Sequence, residues 1–406
     1  MQYFFILGRQ PYLSAAEIRA KLKTANISFK EIAFEPDFLI LEIQSQANNS
    51  KLAKQGIHSL PIQVKELAFE LAGTIKIGVI DNKLEKVRAE VLIESIPKSE
   101  KKIHFGVSAY NIQLDINKLG QEIKNELKRA GRNARFAISK INPLSSAAVL
   151  KNKLLDKGAE IVILKATPAI YCGHTLAIQP LEFWSMIDYG RPARDAKRGM
   201  LPPKLAQMMI NLSEAKSSDA IIDPFCGVGT IIQQALLLGY TNITGCDIDN
   251  AAIKAAQENL KWLFSKTTPR INSGIATPTL SGIAAPTLFQ CDIKDLADKI
   301  PAHSIDAVIA EPSLGPSLQG YESEAQINKI IQDLSVLYRA TFIQLNTVLK
   351  KTGVIVIVIP SFRIKDKIYD IDFNKVLPNE LKIADQWQYA RDDQHVIRNI
   401  IKMKKI

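Results

Sequence analysis

The sequence predicts an α/β protein: a doubly wound parallel sheet over residues 201–406, preceded by a separate α+β region. Three observations carry that class. The chain has 406 residues, and at about 150 per domain that means two or three domains. From Leu201 onward short apolar segments alternate with helical ones, the pattern of parallel strands joined by crossover helices. Before Leu201 strand-like and helix-like segments are mixed without that alternation.

In the first half, Tyr3 to Leu7 reads as a strand and GRQPYLSAAEIRAKL as a turn and helix. Ser14 with Glu17 three residues on has the spacing of a capping box, which places the helix start at Ser14. Phe38 to Ile43 is a second strand, and residues 1–65 read as a small α+β unit. Residues 66–167 read as a second unit. There Phe69 to Val79 mixes strand-like residues with Gly, and Lys102 to Ser108 alternates as a strand. Asp115 to Ala130 is an amphipathic helix, with Ile116, Leu119, Ile123 and Leu127 at helical spacing. It runs into Lys128, Arg129, Arg132 and Arg135. Ser145 to Leu155 reads as a further helix and Glu160 to Leu164 as a strand. Residues 168–200 read as a linker ending in GRPARDAKRG.

In the second half, strands are expected at Ala220–Ile222, Ile243–Cys246, Leu288–Cys291, Ile305–Ala310 and Val354–Ile359. Helices are expected after Gly229, up to Phe264 and through Leu345. The final WQYARDDQHVIRNIIKMKK reads as two strands joined by a polar turn, an antiparallel pair at the edge of the sheet. SGIATPTL (273–280) is followed at once by SGIAAPTL (281–288), a tandem near-duplication expected in a surface loop whose end joins the next strand.

Charge narrows the function. Of the net +11, most lies in residues 101–200, which hold 17 Lys and Arg against 8 Asp and Glu. A polyanion partner explains that surplus, because phosphate contacts supply sequence-independent affinity; a solvated basic surface is the plainer alternative. The longest apolar run, Val354–Ile359, falls far below the roughly 20 residues of a membrane span, and MQYFFILGRQ lacks the basic start of a secretory signal. A soluble cytoplasmic protein is expected. Cys172, Cys226, Cys246 and Cys291 form no CxxC pair, and Cys246 and Cys291 read as buried thiols. The five histidines show no metal-ligand spacing, so no metal is expected.

The candidate site starts at DAIIDPFCGVGT (219–230), a strand, a Gly-bearing turn and a helix start. Gly227 and Gly229 allow a ligand close to the backbone at the strand's carboxyl end, where ligands of doubly wound sheets bind. A dinucleotide fingerprint needs a third Gly, but position 232 is Ile; a P-loop needs Gly-Lys-Ser/Thr, and there is no Lys. S-adenosyl-L-methionine is the remaining reading, with Asp223 meeting the methionine ammonium. Asp247, at the end of the next strand, can accept both ribose hydroxyls, while Asp249 either joins it or caps the following helix. Asp292 ends the third strand and could accept from the adenine amine, with Ile293 packing on the ring. Three carboxylates at the ends of three consecutive strands form one constellation.

The fourth strand leads into Glu311-Pro312-Ser313-Leu314-Gly315-Pro316. A carboxylate and a backbone carbonyl there can accept the N–H bonds of an exocyclic amine, aim its lone pair and stabilise positive charge as a methyl group arrives. A Pro-containing turn holds those acceptors rigidly. Glu311 and Pro312 are therefore the candidate catalytic residues.

DPFCGVGT, the GCDID strand end and the upstream RPARDAKRGMLPPKLAQMMINL resemble the THUMP-domain tRNA (guanine(10)-N2)-methyltransferases. YFFILGRQPYLSAAEI and INPLSSAAVLKNKLLDKGAEIVIL are similar to that family's N-terminal ferredoxin-like and THUMP regions. The resemblance implies a ferredoxin-like unit over 1–65, a THUMP-like RNA-binding unit over 66–167, a linker over 168–200 and a Rossmann-like methyltransferase domain over 201–406. It implies transfer of a methyl group to guanine N2 in tRNA, with tRNA as partner; a small activator protein is a candidate second partner that the sequence leaves open. Asp223, Phe225, Gly227, Gly229, Asp247, Ile248, Asp292 and Ile293 would bind the donor, and Leu201 and Pro202 would line its methionine end. The family pattern Asp-Pro-Pro-aromatic is here Glu311-Pro312-Ser313-Leu314. Glu is a methylene longer, a displacement of about 1 Å that can cost about 100-fold in rate. Base stacking, worth about 1–3 kcal/mol, would then come from Phe225 or Tyr321. That departure keeps open a protein that binds donor and tRNA but catalyses weakly or not at all. A DNA amino-methyltransferase is the other alternative.

Overall fold

The computed structural model describes residues 1–44, 63–99, 101–194, 200–267, 280, 282–391 and 394–406. The first copy of the tandem repeat lies outside the described residues apart from Leu280; the second runs into a strand at Thr287. The chain divides into two compact units, 1–15 with 25–180 and 16–24 with 181–406. Among the described residues no helix is long and apolar enough to cross a membrane.

The first unit carries β1 (Gln2–Leu7), the start of α1 (Pro11–Thr24), β2 (Phe29–Glu35), β3 (Phe38–Ile43), α2 (Val64–Glu70) and β4 (Thr74–Leu84). Then follow α3 (Ala89–Leu92), β5 (Ile103–Tyr110), α4 (Ile116–Arg129), β6 (Ala134–Phe136), α5 (Ser146–Lys151), α6 (Leu154–Lys157), β7 (Gly158–Ala166) and β8 (Ala169–Ile178). The strands of residues 1–65 and 66–167 share one eight-stranded sheet, ordered β2-β3-β1-β4-β8-β7-β5-β6. Asp115 caps α4 by accepting from the Lys118 N–H at 2.9 Å, and α4 buries Leu119, Ile123 and Leu127 against Phe105 and Phe136.

Four local expectations are corrected. Helix α1 starts at Pro11, whose ring presets φ for a first helical position, so Ser14 lies inside it. Ser14 Oγ donates to the Gln10 carbonyl at 2.9 Å, and Glu17 accepts from Asn211 at 2.8 Å instead of closing a capping box. Phe69 sits in a helix, and its strand begins at Thr74. The helix expected over Ser145–Leu155 is broken in two at Lys153, which has φ of 54°. The stretch read as a linker contains β8 and, in the second unit, α7 (Leu181–Tyr189). β8 escapes periodicity because Gly173, His174 and Thr175 interrupt its apolar run. Gly173 is needed there, since a Cβ would stand 1.9 Å from the Val79 carbonyl oxygen of β4.

A charged pair is sealed inside this unit. Lys76 and Glu160, 2% and 0% exposed, form an ion pair. Ser108 Oγ and Thr175 Oγ1 donate to Glu160 at 2.6 Å each, and Lys76 Nζ also donates to the Leu144 carbonyl at 2.7 Å. Removing one partner leaves the other charge buried and uncompensated, which costs about 3–5 kcal/mol. Lys76→Met is expected to lower the unfolding free energy measured by urea titration by that amount. The double variant Lys76→Met/Glu160→Leu is expected to recover most of it; equal loss in both variants would contradict the account.

The second unit contains α7, α8 (Pro203–Leu212), β9 (Ile221–Asp223), α9 (Thr230–Leu237), β10 (Ile243–Asp247), α10 (Asn250–Lys266), β11 (Thr287–Gln290) and α11 (Leu296–Lys299). It continues with β12 (Ile305–Ala310), α12 (Glu324–Val348), β13 (Leu349–Ile364), β14 (Lys367–Asp370), α13 (Phe373–Val376), β15 (Leu381–Tyr389) and β16 (Val396–Lys405). Its sheet runs β11-β10-β9-β12-β13-β16-β15. The first five are parallel to one another, and β16 is antiparallel to both β13 and β15. This is the doubly wound sheet with an antiparallel edge that the alternation predicts. The hairpin strand β14 was not legible in the sequence, because its four residues KIYD carry no periodicity. The strand order reverses direction beside β9, so the carboxyl ends of β9, β10 and β12 border one crevice.

Candidate active site

Asp223 ends β9 and is 2% exposed. Its Oδ1 accepts from the Phe225 N–H at 3.1 Å. Burial pushes its carboxyl well above the usual carboxylate range, and the nearby Asp247 and Glu311 add to that. Among the described residues no Lys or Arg forms an ion pair with it. A buried carboxyl with no ion-pair partner among the described residues, at the end of a central strand, suits a ligand bearing a cation.

The turn that follows is shaped by two glycines with different tasks. Gly227 and Gly229 have φ of 49° and 81°, a region L side chains avoid. Where Gly227 would carry a Cβ there is no atom within 4 Å, so its face is open to a ligand. At Gly229 that atom would lie 3.1 Å from Ala256 Cβ, so Gly229 lets α10 pack close against the turn. The close approach expected of both glycines therefore faces open space at Gly227 and a helix at Gly229.

Asp247, at the end of β10, receives the Gly227 N–H on Oδ2 and the Asp249 N–H on Oδ1, each at 2.9 Å. The carboxylate is thereby pinned beside the turn with lone pairs to spare. Asp249 is the helix cap: its Oδ1 accepts from Ala251 N–H at 2.8 Å. Asp292 caps a short turn through Lys294 N–H at 3.0 Å, following the end of β11. Beside these, Ile248 is 62% exposed, whereas Ile293 is buried in the core, so Ile248 is the apolar side chain presented at this edge. Phe225 is half-buried against the core. Leu201 is buried and Pro202 half-buried, just before α8.

Glu311 follows β12 and is 11% exposed. Burial pushes its carboxyl above the ordinary range, while Arg398 on β16 pulls it back by donating from Nε to Oε1 at 2.7 Å. Tyr338, fully buried on α12, donates towards the Ser313 and Val358 carbonyls at 3.3 and 3.2 Å, tying the EPSL loop to β13. Tyr321, one of the two expected stacking residues, is 80% exposed. Sequence reasoning missed Arg398 and Tyr338. Arg398 lies 87 residues downstream of its partner, in the middle of what reads as an ordinary edge strand. It also missed the clamp behind the glycine turn. Fully buried Asn259 bonds Ala193 through both N–H and carbonyl at 3.0 Å and the Val228 carbonyl at 2.9 Å, and Arg191 Nη1 donates to Thr230 Oγ1 at 2.8 Å. An Asn at a helix position that should be apolar is the signal that could have flagged this clamp.

The crevice thus brings together an open glycine turn, a buried carboxyl, a pinned carboxylate and an acidic loop. Residues 191–370 match the family described as UPF0020, RMKL-like, methyltransferase domain. The second unit has a Rossmann-like methyltransferase fold. Over about a third of its length the chain is similar to proteins of known name. A tRNA (guanine(10)-N2)-dimethyltransferase of Methanothermobacter thermautotrophicus is 33% identical over 128 residues, 31% of this chain and 32% of that protein. The protein of the same name from Methanocaldococcus jannaschii is 29% identical over 138 residues, 34% of each chain. The matched segments span about a third of the length of these relatives. In fold, the whole chain is similar to the crystal structure of TrmN from Thermus thermophilus, with a TM-score of 0.56, 16% identity and full coverage of both chains.

Proposed function

We propose that the protein transfers a methyl group from S-adenosyl-L-methionine to the exocyclic N2 amine of a guanine in tRNA, at position 10. The observation that carries the donor is Asp223, a buried carboxylate without an ion-pair partner among the described residues, beside the open face of Gly227. S-adenosyl-L-methionine supplies an electrophilic methyl group on a cationic sulfur. In this reading Asp223 takes the ammonium and Asp247 the ribose hydroxyls, Asp292 and Ile248 face the adenine, and Leu201 and Pro202 border the methionine end. The target amine is chosen by Glu311 and the Pro312 carbonyl, which accept its N–H bonds, direct its lone pair and stabilise the charge that develops on nitrogen. The Glu311 carboxylate then takes the proton the amine loses. The relatives named for guanine-10 modification support the substrate.

The first unit is proposed to grip the RNA, with a ferredoxin-like region over 1–65 and a THUMP-like region over 66–167. The basic surplus of residues 101–200 supports that role. The test is incubation of the purified full chain and S-adenosyl-L-methionine with an unmodified tRNA transcript, followed by mass spectrometry of the nucleosides. N2-methylated guanosine at position 10 is expected. Donor and tRNA binding without any methylated nucleoside would favour the non-catalytic reading instead, and methylated bases in duplex DNA incubated in parallel the DNA one.

A further inference from the structure

We infer that Arg398 is a positioning residue for Glu311: it fixes one oxygen of the carboxylate, sets a positive charge beside it, and presents the other oxygen to the amine. This rests on the proposed function and deepens it. The geometry comes from the end of the sheet. β16 is antiparallel to β13, with Arg398 level with Pro360, so the guanidinium reaches across the end of β13 to the loop after β12. Its Nε donates to Oε1 at 2.7 Å, and the pair is mostly buried, at 15% and 11% exposure. A guanidinium is rigid and always charged, so this bond sets the direction of the carboxylate as well as its charge. That matters more for Glu than for Asp. The extra methylene adds a torsion, and an untethered Glu311 would sweep its acceptor over distances that cost rate steeply. The Arg398 bond restricts that freedom and fixes where this longer side chain places its acceptor.

The electrostatic side is equally specific. Among the described residues, the groups with a resolved electrostatic interaction with Glu311 are Arg398 on β16, Asp223 on β9 and Tyr338 on α12. Of these, Arg398 alone is cationic. Asp223 is itself pushed towards its neutral form by burial, and Tyr338 is held neutral by its burial. Without Arg398, burial would favour the protonated acid, which is a weaker acceptor and cannot take the amine's proton.

The experiment compares the full-length protein with Arg398→Met and Arg398→Lys, by methyl transfer to tRNA from pH 5.5 to 9 and by donor binding. Arg398→Met is expected to lower kcat about 100-fold, with the KM for S-adenosyl-L-methionine within about threefold of wild type because the donor contacts remain. The acid limb of its pH profile is expected to move up by about 1–3 units, the size of a lost ion pair. Arg398→Lys keeps the charge and is expected to restore most of the pH shift but less of kcat. An Arg398→Met protein with wild-type kcat and an unmoved acid limb would overturn the inference. A carbon-13 titration of the Glu311 carboxyl in wild type and both variants separates this from the reaction itself. Were wild type inert on every RNA, the proposed function would fall, and the titration would still decide the coupling: no upward shift in Arg398→Met refutes it.

Discussion

Glu311→Ala is expected to reduce methyl transfer about 100- to 1,000-fold, the cost of removing one preorganised group that stabilises developing charge. The Kd for S-adenosyl-L-methionine is expected to change less than about twofold, because Glu311 serves the amine and makes no proposed contact with the donor. The alanine variant strands the Arg398 guanidinium without its carboxylate, so some loss of stability accompanies it. Glu311→Gln is the control for that. It keeps the length and an oxygen for Arg398 Nε, but it has no charge to offset positive nitrogen. If Glu311→Gln transfers methyl at the wild-type rate, the carboxylate is not the acceptor. If both variants lose donor binding in calorimetry, Glu311 belongs to the donor site instead.

Asp223→Asn is expected to act in the opposite direction on two observables. It loses a charge-assisted contact to the donor ammonium worth about 1.5–3 kcal/mol, so the Kd for S-adenosyl-L-methionine rises about 10- to 100-fold. The ligand-free protein meanwhile gains stability, since a buried carboxylate becomes a neutral amide of the same shape that can still accept from Phe225 N–H. A gain of about 1 kcal/mol would raise Tm about 2–4 °C. The sign of the pH dependence follows from the raised Asp223 pKa. The folded protein holds this proton more tightly than the unfolded chain. Its contribution to stability is therefore full below the unfolded carboxyl range and is lost as pH rises through the folded value. A cationic donor needs the ionised form. Binding by wild type should release a proton and tighten as pH rises through that same range, and binding by Asp223→Asn should do neither. Calorimetry in two buffers of different ionisation enthalpy measures the proton count. Equal counts for the two proteins would remove Asp223 from the ammonium site.

Much of the second unit is legible because its information is local. A short apolar segment, a turn and an amphipathic segment are enough to define each repeat of a doubly wound sheet, and six of its strands and its principal helices fall where periodicity places them. The acids at the ends of β9, β10 and β11 are legible for the same reason: each sits at a fixed offset from its own strand. The first unit is harder. β8 and the pairing of its neighbours depend on partners far along the chain, and Gly173 registers only as a close approach to β4. Ser14 and Glu17 have a cap's spacing, but a proline three residues earlier starts the helix first.

The sequence alone determines the α/β class, the glycine turn after β9, the run of strand-end acids and the acidic loop at Glu311, all of which rest on neighbours within a few residues. Tertiary structure decides which groups act on which: that Gly227 is open while Gly229 is filled by α10, that Asp249 caps a helix, and that Glu311 answers to Arg398 from 87 residues away. Local patterns reflect backbone geometry, which the chain carries with it everywhere. The charge state and aim of a buried carboxylate depend on what folding places within a few ångströms of it, and no spacing in the chain records that.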